Sequence, residues 1–393
     1  MSCKNKVITS EYVSFGHPDK LADQIADAIL DELLKQDKNT RSGIEVLVKD
    51  NVVVLGGEVR TTAIVNYDAV VKRVFEDVHY PASHGLKPEQ IKVINLIGKQ
   101  SIEIHQGVDK SETNIGAGDQ GFCVGYASNE TNCYMPLGHY LAKTICKYVS
   151  VQNDLGPDTK TQVVIGYDED ETPCVQSILV STMHSPLSSL NRVRRIVKGA
   201  VLSNYCNMDV DVYEKYIKDK DIKIDINPCG EWTIGGPVSD CGVTGRKIVV
   251  DQFGGYANVG GGAFSGKDFT KVDRSAAYMA RYLAKNIVAA GIADNAKVEL
   301  AYMIGVAKPC ALNIELNRNQ ERVCELKEWI LNNVDTTPYG IIKRFDGFYP
   351  RNYFLARNGH YGQTDESLLW EVNKKYYPWE ITDLADKLAN IFA

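Results

Sequence analysis

IEVLVKDNVVVLGGEV, residues 44–59, places two runs of apolar and β-branched side chains around Lys49-Asp50-Asn51, and reads as a β-hairpin. Working outward, an amphipathic helix is expected over 18–35, a second near 67–78, and a strand at IKVINLI, 91–97. The same order recurs twice. A helix over 141–151 precedes the hairpin TQVVIGYDEDETPCVQSILVSTM, 161–183, followed by a helix near 187–202 and the strand IKIDINP, 222–228. A helix over 273–290, stopped by Gly291, precedes KVELAYMIGVAKPCALNIEL, 297–316, then a helix near 320–331 and a strand at IIKRFDG, 341–347. Hairpins with helices on one face predict an α+β fold of three similar domains with mostly antiparallel or mixed sheets, rather than a doubly wound parallel sheet. The expected divisions are 1–104, a connecting loop 105–119, 120–236 and 237–393. Two polar, glycine-rich stretches, 100–121 and 227–271, are longer than ordinary connections, and long loops of this kind tend to be functional.

The 393 residues, 44% of them apolar, suffice for a sizeable core in two or three domains. A net charge of −6 speaks against a globally basic, nucleic-acid-binding surface and leaves room only for small polyanions. No stretch has the length of a signal peptide's apolar region or of a membrane span, so the expected location is the cytoplasm, without a membrane partner. Ten cysteines without a C-x-x-C pair or zinc-type spacing suit reduced thiols.

Chemistry concentrates at two places. GHPDK, residues 16–20, stands directly before the first helix, whose apolar face includes Leu21, Ile25, Ile29 and Leu33. Pro18 fits the first turn, so His17 and Asp19 sit where free N–H groups and the helix dipole favour an anion. A histidine can donate to a phosphate oxygen there and an aspartate can hold Mg²⁺; a plain helix cap is the competing reading. The second place runs from Asp240 through Arg246 and Lys247 to GGGAFSGKDFTKVDRS, 260–275, where Lys267, Lys271 and Asp273 punctuate glycine-rich backbone that enters another helix. Such a loop cradles phosphates. Residues 261–267 match G-x-x-x-x-G-K, but Asp268 replaces the Ser or Thr of a P-loop, and that reading is rejected. GAGDQG, 116–121, matches a dinucleotide fingerprint only formally, lacking the strand before and the helix after, and reads as a glycine turn. Taken alone, Glu45, Glu58, Lys160 and the VRRIVK run at 193–198 read as solvated.

GHPDK, GAGDQG and GGGAFSGKD, in this order, resemble the signatures of S-adenosylmethionine synthetases. The resemblance extends to VVLGGEV, IGKQ with HQGVD, GGPVSDCGVTGRKIVVD, KVDRSAAYMARYLAKNIVAAG, PYGI and GHYG, and so spans nearly the whole chain. It implies three α+β domains related by pseudo-threefold symmetry, and a homodimer, in some members a homotetramer, with active sites at the dimer interface. It implies the reaction of ATP with L-methionine and water to S-adenosylmethionine, phosphate and diphosphate, with two Mg²⁺ per site and K⁺. Carried over residue by residue, it makes His17, Lys160, Lys247 and Lys267 catalytic. ATP would meet His17, Asp158, Lys160, Trp232, Asp240, Arg246, Lys247, Ala263, Lys267 and Lys271. Methionine would meet Glu58, Gln106, Asp119, Asp240 and Lys271. Glu11, Asp19 and Asp273 would serve Mg²⁺, and Glu45 K⁺. The loop near 100–118 would be a mobile gate over the site. Three positions depart from the family pattern: Phe15 for a glutamate before GHPDK, Glu231 for an arginine, and Asn258-Val259 where a histidine is common. The rival readings are an ATP-dependent phosphotransferase, a catalytically idle nucleotide-binding regulatory homologue resting on Phe15 and Glu231, and a nucleic-acid-binding module.

Overall fold

The computed structural model describes residues 6–100, 115–362 and 375–392. In chain order the main elements begin with β1 (Lys6–Val13), α1 (Pro18–Gln36), β2 (Arg41–Lys49), β3 (Val52–Arg60), α2 (Tyr67–Val78), β4 (Lys92–Asn95) and β5 (Gly98–Lys99). There follow β6 (Gly121–Ser128), α3 (Leu137–Val149), β7 (Leu155–Tyr167), β8 (Pro173–His184), α4 (Leu190–Leu202), α5 (Val210–Tyr216), β9 (Lys223–Ile226) and β10 (Gly242–Val243). The last part holds α6 (Val272–Ala289), β11 (Asn295–Tyr302), β12 (Ala311–Leu316), α7 (Val323–Asn333), α8 (Pro338–Phe345), α9 (Asn352–Asn358) and α10 (Ala385–Phe392).

All three expected hairpins form. The first closes with Lys49 opposite Val52 and runs to Arg41 opposite Arg60. Each lies in its own sheet, in the orders β10-β2-β3-β4 with β5 beside β3, β1-β7-β8-β9, and β12-β11-β6. Pairing is antiparallel except where the crossover strands β4, β5 and β9 lie parallel to their hairpins, so the sheets are mixed as expected. The α+β class is borne out.

The repeats are interlocked by a cyclic exchange that the hydrophobic pattern does not disclose. The strand before α1 pairs with the second hairpin, the strand before α3 with the third, and the strand before α6 with the first. Each of these helices packs on a hairpin of its own repeat while the strand that leads into it belongs to the next sheet. Three apolar clusters fill the spaces between helices and sheets, centred on α1, α3 and α6.

The third repeat departs from expectation. Residues 341–347 are not a strand; α8 occupies most of that stretch, with Thr337 capping the Gly340 N–H and Pro338 in the first turn. Its buried residues include Ile341, Ile342 and Phe345, a helical rather than alternating spacing. The cysteine expectation also needs one correction: Cys174 is disulfide-bonded, whereas the other eight described cysteines are free. No helix among the described residues is long and apolar enough to cross a membrane.

Candidate active site

α1 and α6 both start at a glycine-rich or turn segment, and both carry an aspartate as their second residue, Asp19 and Asp273. The third equivalent helix, α3, has Gly138 there instead. A Cβ at Gly138 would come within 3.0 Å of the Tyr256 hydroxyl and 3.1 Å of Ile165, so packing rather than charge decides that position. Two of three helix N-termini are thus built for ionic chemistry.

At the α1 end, His17 is the N-cap, with φ −65° and ψ 138°, and its Nδ1 accepts the Asp19 N–H at 3.1 Å. In a neutral ring this puts the proton on Nε2, leaving an uncharged donor. Burial first, then the charges of Lys247 and Lys160, push the imidazole pKa down to about 3. Asp19 accepts the Val243 N–H at 2.9 Å through Oδ1 and the Lys247 ammonium at 2.5 Å through Oδ2, with Arg246 3.8 Å away. Burial alone would raise its pKa, but Lys247 and the Val243 amide prevail and hold it below the usual carboxylate value. Lys160 lies on β7 opposite Val13, and its charge acts on both His17 and Asp158. Asp158 is buried, accepts the Gly236 N–H at 2.8 Å through Oδ2, and leaves Oδ1 without a partner; burial raises its pKa to about 6. Exposed Asp240 acts on this cluster, and half-buried Trp232 lies four residues before Gly236, its main-chain N–H donating to His184 at 3.2 Å.

At the α6 end, the Lys267 ammonium lies 2.6 Å from Asp273 Oδ2. A Cβ at Gly262 would stand 2.1 Å from the Asp273 carboxyl carbon, and one at Gly121 would stand 2.9 Å from Oδ1, so glycines let the backbone close round this carboxylate. Lys271 bonds Asp268 at 2.7 Å. Gly43 forms a bridge with Lys267, and opposite it on the same outer sheet face is Glu58, with Glu45 two residues on. Desolvation raises the Glu45 carboxyl pKa, against the pull of Lys267. Asp119 is exposed and follows Gly118, whose N–H donates to Thr270 at 3.1 Å beside Lys271. The glycines of 116–121 serve close backbone approach here: Ala117 bridges Ile304, and a Cβ at Gly116 would meet Gly305 at 2.5 Å. Asp268, the residue that spoils the P-loop match, is a buried anchor accepting from Ser42, Thr270 and Lys271. Burial opposes its ionisation, yet Lys271 and Arg41 take its pKa down to about 2.

Two of the expected positions stand slightly apart. Exposed Glu11, on β1, accepts from Gln162 at 2.9 Å on the face that also carries Lys160. Ala263 belongs to the α6 loop but touches the α1 end, 2.6 Å from where a Cβ on Gly245 would be. Gln106 and most of the expected gate lie outside the described residues.

What joins the two ends was not foreseen from the sequence. Asp19, Asp23, Asp27 and Asp31 recur every fourth residue along α1, and each accepts main-chain N–H groups from a segment distant in sequence. Asp19 takes Val243, Asp23 takes Gly245 at 2.9 Å, Asp27 takes Gly266 at 2.9 Å, and Asp31 takes Asn352 at 3.0 Å and Tyr353 at 2.9 Å. Arg274 clasps Asp27 through two bonds of 2.7 and 3.0 Å. Gly245 and Gly266 take these bonds with φ of 76° and 81°, a region open to glycine. One helix face thus registers the Arg246-Lys247 loop and the Lys267 loop. Asp19 and Asp27, eight residues apart, are about 12 Å apart along the axis, and the two ionic ends are separated accordingly. The sequence signal was the four-residue spacing of aspartates, normally the mark of a solvated face.

Three sequence families match the chain in succession: the S-adenosylmethionine synthetase N-terminal domain over residues 5–102, the central domain over 114–232 and the C-terminal domain over 234–372. The chain belongs to the S-adenosylmethionine synthetase family. S-adenosylmethionine synthases from two strains of Staphylococcus epidermidis are 44% identical over 391 residues, covering 94% of this chain and 96% of theirs. A structure described as an unusual S-adenosylmethionine synthetase from Campylobacter jejuni superposes with a TM-score of 0.87 at 36% identity, over 99% of this chain and 100% of that one. The protein is accordingly a transferase of S-adenosylmethionine biosynthesis, a methionine adenosyltransferase, in a family that uses metal ions. Among its departures from the synthetase pattern, Glu231 is exposed beside Trp232, and Asn258 is exposed on a cavity rim with Tyr126 and Lys297.

Proposed function

We propose that the chain joins the sulfur of L-methionine to C5′ of ATP, displaces the triphosphate, and hydrolyses it to phosphate and diphosphate. The observation that carries this reading is the pair of helix N-termini, each with an aspartate at the second position in contact with a lysine, bracketing glycine-rich backbone. A thioether has no proton to lose, so the attack needs no general base. The barrier lies in the charge that gathers on the leaving triphosphate, and preorganised donors lower it. Nε2–H of His17 is an uncharged donor at a helix N-terminus, suited to the bridging oxygen. Lys160, Arg246, Lys247, Lys267 and Lys271 supply the countercharge along the chain, and Asp158, Trp232, Asp240 and Ala263 border the nucleoside. Glu58, Gln106 and Asp119, with Asp240 and Lys271, are assigned to methionine, whose ammonium group matches carboxylates.

The donor set fits Mg²⁺. Asp19 and Asp273 offer hard oxygens, and no group of three or more His, Cys, Asp or Glu gathers as a metal cage among the described residues. That suits an ion which takes most of its ligands from water and phosphate. Glu11 is assigned a supporting role for Mg²⁺ and Glu45 the K⁺ position. When bound, these ions neutralise the phosphate chain and align it.

The two ends lie apart in one chain, and Glu45, Glu58, Glu11 and Lys160 all lie on outer sheet faces. We infer that each end is half of a site and that a homodimer, alone or paired into a tetramer, completes two sites. The expected division at 1–104, 120–236 and 237–393, the gate at 105–119 and the cytoplasmic location belong to the same proposal.

The test is to incubate the protein with ATP, methionine, Mg²⁺ and K⁺ and quantify the products together. Equal S-adenosylmethionine, phosphate and diphosphate, lost in His17→Ala and Asp19→Ala, is the expected result. ATP binding without adenosyl transfer would overturn it in favour of the idle regulatory homologue, and a phosphorylated product in favour of a phosphotransferase.

A further inference from the structure

Phe15 stands next to the motif that delivers His17, and its ring faces the Arg357 guanidinium, whose central carbon lies 4.2 Å from the ring centroid. The segment 14–17 is fastened on its other sides. Ser14 donates its N–H to Thr159 at 3.0 Å and its hydroxyl accepts the Thr159 N–H at 2.8 Å. Gly16 donates to Pro157 at 3.2 Å, and the Tyr80 hydroxyl donates to the Gly16 carbonyl at 2.6 Å. Gly16 must lack a side chain, since a Cβ there would meet Pro157 at 2.5 Å. It is the link of the segment with the least conformational preference of its own.

Arg357 closes a ring of contacts round this pivot. Its guanidinium donates to Gln24 Oε1 at 3.3 Å and to the Asp77 carbonyl at 3.0 Å. The Gln24 amide in turn donates to the Phe15 carbonyl at 2.6 Å and to Lys20 at 2.8 Å. Arg357 sits near the end of α9, whose start is held by Asp31, so the ring is tied to α1 twice. Building on the proposed reaction, we propose that Phe15 and Arg357 form a cation–π clamp that fixes the Gly16 pivot and thereby positions His17. Both are positioning residues, and Phe15 does so where the family pattern has a glutamate. A carboxylate at that position would face the same guanidinium, which explains how an aromatic ring can replace it without loss of the device.

The test compares Phe15→Ala, Phe15→Tyr, Phe15→Glu, Arg357→Met and the double variant Phe15→Ala/Arg357→Met. Misplacement of a group at the leaving oxygen should lower kcat for S-adenosylmethionine formation about 10- to 100-fold in Phe15→Ala and Arg357→Met, with KM for both substrates changed less than about 3-fold. The double variant should be no worse than the poorer single, because both remove one device. Phe15→Tyr and Phe15→Glu should recover most of the loss. Thermal unfolding and calorimetric binding of inorganic triphosphate should stay near the parent's in all five, separating positioning from folding. A kcat in Phe15→Ala equal to the parent's, losses that multiply in the double variant, or losses that follow thermal stability across the set would each overturn the clamp. A parent chain that transfers no adenosyl group would overturn the functional reading and the clamp's role with it, whereas an active parent with an unaffected Phe15→Ala overturns the clamp alone.

Discussion

Lys247 and Lys267 each hold a carboxylate at the second position of a helix, at 2.5 and 2.6 Å. If both serve the leaving triphosphate, Lys247→Met and Lys267→Met should each lower kcat by about 10²- to 10³-fold while the fold persists, as loss of one preorganised donor does elsewhere. A steady-state comparison checks this, and losses confined to KM would assign the lysines to ground-state binding instead. At this scale the motif residues were legible, because glycine, lysine and aspartate in that density have few structural uses. Glu45, Glu58 and Lys160 were not legible by themselves. Each is a lone charge on a strand; only the β2–β3 register, which sets Glu58 opposite Gly43 with Glu45 two residues on, brings the two glutamates together, and only the pairing of β1 with β7 brings Lys160 to the α1 end. Tyr80 and Gln24 gave no signal, since their work is done on main-chain carbonyls.

α1 shows where pattern reading stops. Its apolar positions Leu21, Ile25, Ile29 and Leu33 announced the helix, but the opposite face is also buried, and Asp23, Asp27 and Asp31 lie within it. A buried carboxylate is tolerated only with partners, and those come from segments more than two hundred residues away. Asp27→Ala would strand the fully buried Arg274, and the expected cost is about 3–5 kcal/mol in a denaturant titration. A change under about 1 kcal/mol would mean that Arg274 does not depend on Asp27. Asp31 has a pH signature. Burial raises its pKa to about 7, well above the unfolded value of about 3.9. The folded chain therefore binds more protons between about pH 4 and 7, and this group's contribution is full below that window and lost as pH rises through it. Across the window, the unfolding free energy of Asp31→Asn relative to the parent's should increase as pH rises, because the variant lacks this falling contribution; a difference that does not change with pH would contradict it. Asp268, and Glu380, which accepts from Arg281 at 2.9 Å and Lys285 at 2.7 Å, are both held at about 2, against burial, by their neighbouring cations and act in the opposite sense: their contribution is present above about pH 4 and lost as pH falls through about 2. Of the elements, the one misread was α8, where the Thr337-Pro338 cap outweighed a stretch that resembled a strand.

Across the whole molecule, the three hairpins were legible because their apolar alternation is local, whereas the exchange of β1, β6 and β10 between repeats was not. These strands carry no mark of which sheet they join, and β10 is only two residues long. Through the exchange, each sheet takes strands from two repeats. The α1 end and the α6 end of a chain are proposed to serve different active sites, each completed by a second copy of the chain. Co-expression of His17→Ala with Lys267→Ala tests this directly. Each variant alone damages every site, but random pairing makes half of the dimers mixed, and in a mixed dimer one site takes both intact ends. Either variant alone should be nearly inactive, and the co-expressed mixture should recover about a quarter of the parent's S-adenosylmethionine formation. A mixture as inactive as the separate variants, with mixed dimers present by native mass spectrometry, would place both ends in one chain's own site and contradict it.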